Sequence, residues 1–189
     1  YNGTEKTPTI TVKDGSKVLV KDTDYTLSGD LTGTNVNEYS VTITGEGNYG
    51  DTVDKTWKIK EGTMTGLQEN NYSDIYDGTG HSATVTVATP SDVIITYCET
   101  VDGEYTPNPP SYTAVGNYPV YYMIEKEGYE TLTGTLSVII SAKPQHSITL
   151  ENDSHGTALA SVEGVSVTTA ESGKEVTLTA SPNEGYKFK

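Results

Sequence analysis

Apolar and polar residues alternate along most of the chain, and no stretch of about eleven residues carries a helical period. Thr9-Ile10-Thr11-Val12 alternates, Asp14-Gly15 breaks the run, and Lys17-Val18-Leu19-Val20 resumes it. That is the pattern of a hairpin. Tyr39 to Thr44 places Tyr39, Val41 and Ile43 on one face and three hydroxyls on the other. Lys55-Thr56-Trp57-Lys58-Ile59 turns Trp57 and Ile59 inward, with Lys55 and Lys58 read as outward. Outward Thr and Lys suit the solvated face of an antiparallel sheet. The pattern predicts an all-β chain of tandem small antiparallel modules. Ig-like sandwiches are favoured, with a β-grasp-like arrangement as the alternative, especially for the C-terminal unit.

The chain also repeats itself. Tyr1-Asn2-Gly3-Thr4 returns as Tyr76-Asp77-Gly78-Thr79, and Thr9-Ile10-Thr11-Val12 returns as Thr84-Val85-Thr86-Val87. Val36-Asn37-Glu38-Tyr39-Ser40-Val41 returns as Val115-Gly116-Asn117-Tyr118-Pro119-Val120, and Trp57-Lys58-Ile59 aligns with Leu136-Ser137-Val138. The turn at Asp14-Gly15 is replaced by Pro90-Ser91-Asp92. These ordered matches define β-module one at residues 1–60 and a homologous β-module two at 61–142. Met64-Thr65-Gly66-Leu67 reads as an extra strand ahead of Tyr76, and module one is read as either cut after its first strand or starting without it. The expected core is Tyr39, Val41, Ile43, Trp57 and Ile59 in module one, and Val120, Leu136 and Val138 in module two. Tyr118, Tyr122 and Ile124 should share the inward face of their strand.

After Ala142-Lys143-Pro144 the pattern changes to a shorter unit at 145–189, expected to be a truncated repeat. Ser147-Ile148-Thr149-Leu150, Val165-Ser166-Val167-Thr168 and Val176 to Ala180 read as its strands. The Gly- and Ser-rich stretch between the first two reads as a turn. The unit stops at Phe188-Lys189, read as still within a strand.

Composition narrows the function more than it names it. Of 189 residues, 33% are hydrophobic and 20% charged, and the formal net charge is −14 with no arginine. A phosphate-binding surface needs Lys and Arg, so nucleic acid is excluded as a partner. No run approaches the ~18 apolar residues of a membrane helix, so no membrane insertion is expected. The chain starts at Tyr1 without a charged-then-apolar leader and reads as a mature or excised segment. Cys98 is the single cysteine, so no intrachain disulfide can form. Asn2-Gly3-Thr4, Asn71-Tyr72-Ser73 and Asn152-Asp153-Ser154 are read as chance glycosylation sequons in a chain rich in these residues.

Residues 1–142 resemble the MBG-type and related Ig-like repeats of bacterial cell-surface proteins. The resemblance rests on the Tyr-Asn/Asp-Gly-Thr opening, the Val-x-x-Tyr-x-Val strand, the Gly-Asn-Tyr corner at 47–49 and the closing strand. Residues 145–189 resemble the divergent internalin-type B-repeat, through Gly173 to Phe188 in the form G-x-x-V-T-L-T-A-x-P-x-x-G-Y-x-F. The resemblance implies a large, modular, exported bacterial protein at the cell surface, wall-anchored in many cases. It carries over no catalytic residue.

Reactive groups are few. His81-Ser82 lacks a nucleophile elbow, and Glu99 and Asp102 would raise the Cys98 thiol rather than activate it. His81, His146 and His155 have no zinc spacing. Asp22-Thr23-Asp24 and Glu151-Asn152-Asp153 are the best oxygen clusters for calcium, yet neither has a loop pattern that binds it, so they read as solvated acidic turns. Neither a metal nor a cofactor is expected. Lys55 and Lys58 read as too outward for a buried Lys–Asn isopeptide bond. Exposed rings can stack on sugars or anchor a protein. Outward Tyr121 and Met123, with Tyr105 and Tyr112 flanking Pro107-Asn108-Pro109-Pro110, are the candidate ligand-binding residues.

The reading is a non-catalytic, monomeric spacer that supports adhesion at the cell surface. Alternatives are an adhesin module that binds a host or microbial surface glycan or protein, and an accessory region of a secreted glycan-degrading enzyme.

Overall fold

The computed structural model describes residues 1–187, none of which is helical. Their strands form several small sheets, and the fold is all-β as expected. The expected strand through Phe188 and Lys189 lies outside the described residues. The chain folds as two compact units. One comprises Tyr1–Asn71, Ala83–Pro110 and Pro119–Leu136, and the other Tyr72–Ser82, Ser111–Tyr118 and the chain from Ser137 onward.

In the first repeat the hairpin forms at Asp14-Gly15 but is short. β1 (Lys13–Asp14) pairs with β2 (Lys17–Val18), and Gly15 takes the positive φ of 58° that the tight turn needs. Leu19 N–H donating to Val12 O extends the ladder by one bond, and Thr9 to Thr11 stay outside any strand. β3 (Tyr25–Gly29), β4 (Asn37–Gly45) and β5 (Thr52–Ile59) form an antiparallel sheet in that order. Directly paired residues share a face. Tyr39↔Trp57, Val41↔Lys55 and Ile43↔Val53 therefore put six side chains on one side.

That register corrects two expectations. Lys55 lies on the Trp57 face, because two residues along a strand return to the same side. Val41 and Ile59 are buried as expected, but Tyr39, Ile43 and Trp57 are only half-buried. The cause is thin cover: Pro8 to Lys13 runs beside this face and leaves a groove of about 510 Å³ between itself and β4–β5.

The second repeat begins with two strands that precede Tyr76. β6 (Gln68–Asn70) pairs antiparallel with β8 (Thr84–Thr86), and β7 (Tyr72–Ile75) between them in sequence pairs parallel with the end of β11 (Leu132–Ser141). The expected strand at Met64 to Leu67 reduces to a single bridge, Thr65↔Thr89, with Met64 buried beside it in sequence. β9 (Ile94–Cys98) and β10 (Gly116–Glu125) complete a sheet of order β7-β11-β10-β9. Alternation is strict here. Val120, Tyr122 and Ile124 are buried on β10, and Leu136, Val138 and Ile140 on β11. Tyr118, expected inward, is half-buried at the strand's start.

The C-terminal residues form β12 (Gln145–Ser147), β13 (Gly156–Val162), β14 (Val165–Ser166), β15 (Thr169–Glu171) and β16 (Thr177–Pro182). β12 pairs with β15, and β14-β13-β16 form a second sheet. β13, its central strand, falls in the stretch read as a turn. Its sequence Gly-Thr-Ala-Leu-Ala-Ser-Val is poor in strong strand formers, so tertiary pairing overrides propensity. Of its side chains Ala160 is buried and Leu159 exposed.

Candidate interaction surface

The Tyr-Asn/Asp-Gly-Thr opening is a side-chain-capped turn in both repeats. Asn2 Oδ1 accepts from Thr4 N–H at 3.2 Å and from Thr4 Oγ1 at 2.8 Å. Asp77 Oδ1 accepts from Thr79 N–H at 2.8 Å and Oγ1 at 2.9 Å. Gly3 and Gly78 supply the positive φ, 75° and 85°. This is the local bonding that makes Asn and Asp turn residues. The Tyr1 amino group donates to Lys60 O at 2.8 Å, and Tyr76 N–H donates to Ser141 O at 2.8 Å, which fixes each turn to the end of its closing strand.

The equivalence continues down the chain. Lys6 bridges Gly33, and His81 bridges Tyr112. Six residues on from each of those partners, a tyrosine hydroxyl reaches back to a carbonyl four residues upstream. Tyr39 donates to Asn35 O at 2.8 Å, and Tyr118 to Ala114 O at 3.2 Å. What differs is the ring's partner. Tyr39 stacks on Trp57, with centroids 4.6 Å apart, and a Cβ at Gly33 would meet the Tyr39 ring at 2.4 Å. Tyr118 stacks on Tyr112 at 4.1 Å and 7°. A ring from the crossing segment thus replaces one from the neighbouring strand.

These contacts place the four candidate binding residues. All are half-buried. Tyr112 has one ring face against Tyr118, so it supports the fold as well as facing outward. Tyr121 and Met123 lie on the side of β10 opposite Tyr122, paired with Cys98 and Thr96 of β9. Cys98 is buried, and a Cβ at Gly103 would meet its Sγ at 2.4 Å, so the loop after β9 folds over that side. Tyr105 sits in this loop, next to Thr106, whose N–H and C=O bond to Tyr97 at 2.9 and 2.7 Å.

His81 sits at the centre of a cluster of polar contacts. Its Nε2 lies 3.0 Å from Asp77 Oδ1, 3.1 Å from Thr79 Oγ1 and 3.1 Å from the Tyr72 hydroxyl, and its ring stacks on Tyr72 at 4.0 Å. All three oxygens converge on the same nitrogen. A proton relay needs the nucleophile on one ring nitrogen and the carboxylate on the other. The arrangement instead repeats a structural clasp, since Lys6 Nζ donates to Thr4 Oγ1 at 2.9 Å in the first repeat. The Thr79 N–H and then His81 hold the Asp77 carboxyl down to about 2, and burial raises the Tyr72 phenol. A depressed carboxyl contributes stability that is present above the unfolded pKa and lost as pH falls through the folded one. Acid titration followed by circular dichroism should therefore show Asp77→Asn flattening part of the stability loss between about pH 4 and pH 2. An acid limb identical to the parent chain's would show that the turn contributes nothing.

The acidic turns are internally capped. Asp24 Oδ2 accepts from Val20 N–H at 2.8 Å, and Asp153 accepts from His155 N–H at 2.8 Å and faces its Nδ1 at 3.1 Å. Among the described residues no three His, Cys, Asp or Glu side chains are placed to hold a metal ion. In the second repeat, Tyr122, whose hydroxyl donates to Glu69 at 2.7 Å, is pushed up to about 12 by burial and by that carboxylate.

The open groove of the first repeat was not singled out by sequence reasoning as a site. It is lined by Pro8 to Lys13, Val41, Ile43, Val53, Lys55 and Trp57.

Residues 146–189 match the family model of the divergent InlB B-repeat domain. No curated protein and no solved structure matches the chain.

Proposed function

We propose that this chain is a non-catalytic spacer in a modular bacterial cell-surface protein, placed outside the cell and supporting adhesion. The observation that carries this reading is the reuse of one bonded framework in two successive repeats, followed by a B-repeat. In each repeat the turn cap, the clasp to the closing strand and the tyrosine reaching back four residues hold the backbone. Polar groups are thus spent on scaffold geometry. The B-repeat match supports a surface-protein repeat module, and a net charge of −14 discourages lateral association. Residues 1–142 fit two MBG-type, Ig-like repeats, since a hydroxyl reaching back to upstream backbone is the device of the tyrosine corner. The modules of the spacer are 1–60, 61–142 and 145–189.

A glycan microarray probed with the full chain tests the reading, alongside a hydrolysis assay on glycan and peptide mixtures. Blank results are expected in both. A glycan signal abolished by Tyr121→Ala would replace the spacer with an adhesin module. Hydrolysis that survives repurification would overturn the non-catalytic role.

A further inference from the structure

The two repeats differ most at one place. In the second, β6 and β7 lie on β8 and β11, and Val85 of β8 is 2% exposed. In the first, Ile10 occupies the position of Val85 and is only half-buried. Thr9, Ile10 and Thr11 make no backbone hydrogen bond among the described residues. β5, which corresponds to β11, is the edge of its sheet. Between these two open backbone edges lies the groove of about 510 Å³, walled by Ile10, Val12, Val41, Ile43, Val53 and Trp57. Two lysines, Lys13 and Lys55, line it.

We propose that this groove is a strand-acceptor site. Its occupant is an acidic extended segment of the same chemistry as Met64–Ile75, entering from the N-terminal side of Tyr1. The second repeat supplies the template. There Tyr76 N–H bonds Ser141 O, and the four residues before it run parallel to Val138–Ser141. The Tyr1 amino group bonds Lys60 O, two residues earlier along the aligned closing strand than Ser141, so a strand leading into it is directed along the end of β5. The preceding residues then reach Thr9 to Thr11, as Gln68–Asn70 reach Thr84–Thr86. Main-chain bonds supply affinity in such strand addition, and side-chain pockets supply selectivity. Charge fits as well. Met64–Ile75 carries Glu69 and Asp74 and no cation, opposite the groove's two lysines.

The test joins a copy of Met64–Ile75 directly to Tyr1 of the full chain, as Ile75 joins Tyr76. Trp57, the only tryptophan, lines the groove and reports on it alone. The expected result is a blue shift of its emission, weaker acrylamide quenching and at least tenfold slower amide exchange at Thr9 to Thr11 and Trp57 to Ile59. A second extension carries Tyr72→Pro and Asp74→Pro in the copy. This removes the N–H groups of the same parity as Tyr76 and should leave Trp57 as in the parent chain. Unchanged emission and exchange with the first extension would overturn the proposal. So would equal shielding by both extensions, which would mean non-specific cover. A parent chain that sediments as a dimer with Trp57 already shielded would assign the groove to a second copy instead.

Discussion

Ile124→Ala should lower stability by about 3 kcal/mol, within the ~2–5 kcal/mol typical of aliphatic truncation in a packed core. Ile124 is 0% exposed, in register with Ile95 across the β9–β10 pair, and alternates with the buried Val120 and Tyr122. Truncation removes buried apolar area and leaves a void that β10, paired on one side with β9 and flanked on the other by β11, cannot close by backbone shift. A domain with total stability of about 5–15 kcal/mol has little reserve against such a loss. Thermal unfolding by circular dichroism should show the midpoint falling by more than about 10 °C, because each kcal/mol moves a small domain by ~4–8 °C. Ile124→Val should cost roughly 1 kcal/mol. Equal effects from the two variants would mean that the γ carbons contribute nothing beyond the δ carbon.

Trp57→Ala should cost less, about 2 kcal/mol, although Trp is the larger side chain. A fully buried aromatic truncation costs ~3–5 kcal/mol. Trp57 is half-buried, one side facing the groove. It stabilises through its stack on Tyr39 and through Nε1–H donating to Asp30 O at 2.8 Å. Trp57→Phe keeps a ring for the stack and loses only the donor, so it should recover about half of the deficit. A loss of ~4 kcal/mol or more in the alanine variant would show that the groove is closed in solution.

Period-two alternation identified the all-β class, and where both faces of a strand are covered it also identified the core. Val120, Leu136 and Val138 are buried as their alternation requires. The same pattern over-called Tyr39, Ile43 and Trp57, because alternation reports which side a residue faces and not what lies on that side. Cover depends on chain from elsewhere, here Pro8 to Lys13. β13 escaped because Gly156, Ala158, Ala160 and Ser161 carry no local strand signal and are held by pairing with β16.

The repeat was legible through Tyr1, Tyr39, Tyr76 and Tyr118, and each proved to anchor a backbone contact. The candidate surface was less legible. Alternation placed Tyr121 opposite Tyr122, but the loop after β9, which covers that side, has no period to read. The clasp around His81 was invisible for a related reason. Its partners Tyr72, Asp77 and Thr79 are near in sequence, yet only the turn at Gly78 brings their oxygens to one nitrogen.

The parallel pairing of β7 with the end of β11 sets how the second repeat bears tension. Val138↔Tyr72 through Ser141↔Ile75 join a strand near the start of the repeat to the strand that ends it. A pull that draws β7 backward and β11 forward slides the two along each other. Their hydrogen bonds are then loaded side by side and yield together. An antiparallel hairpin pulled open at its ends gives way one bond at a time.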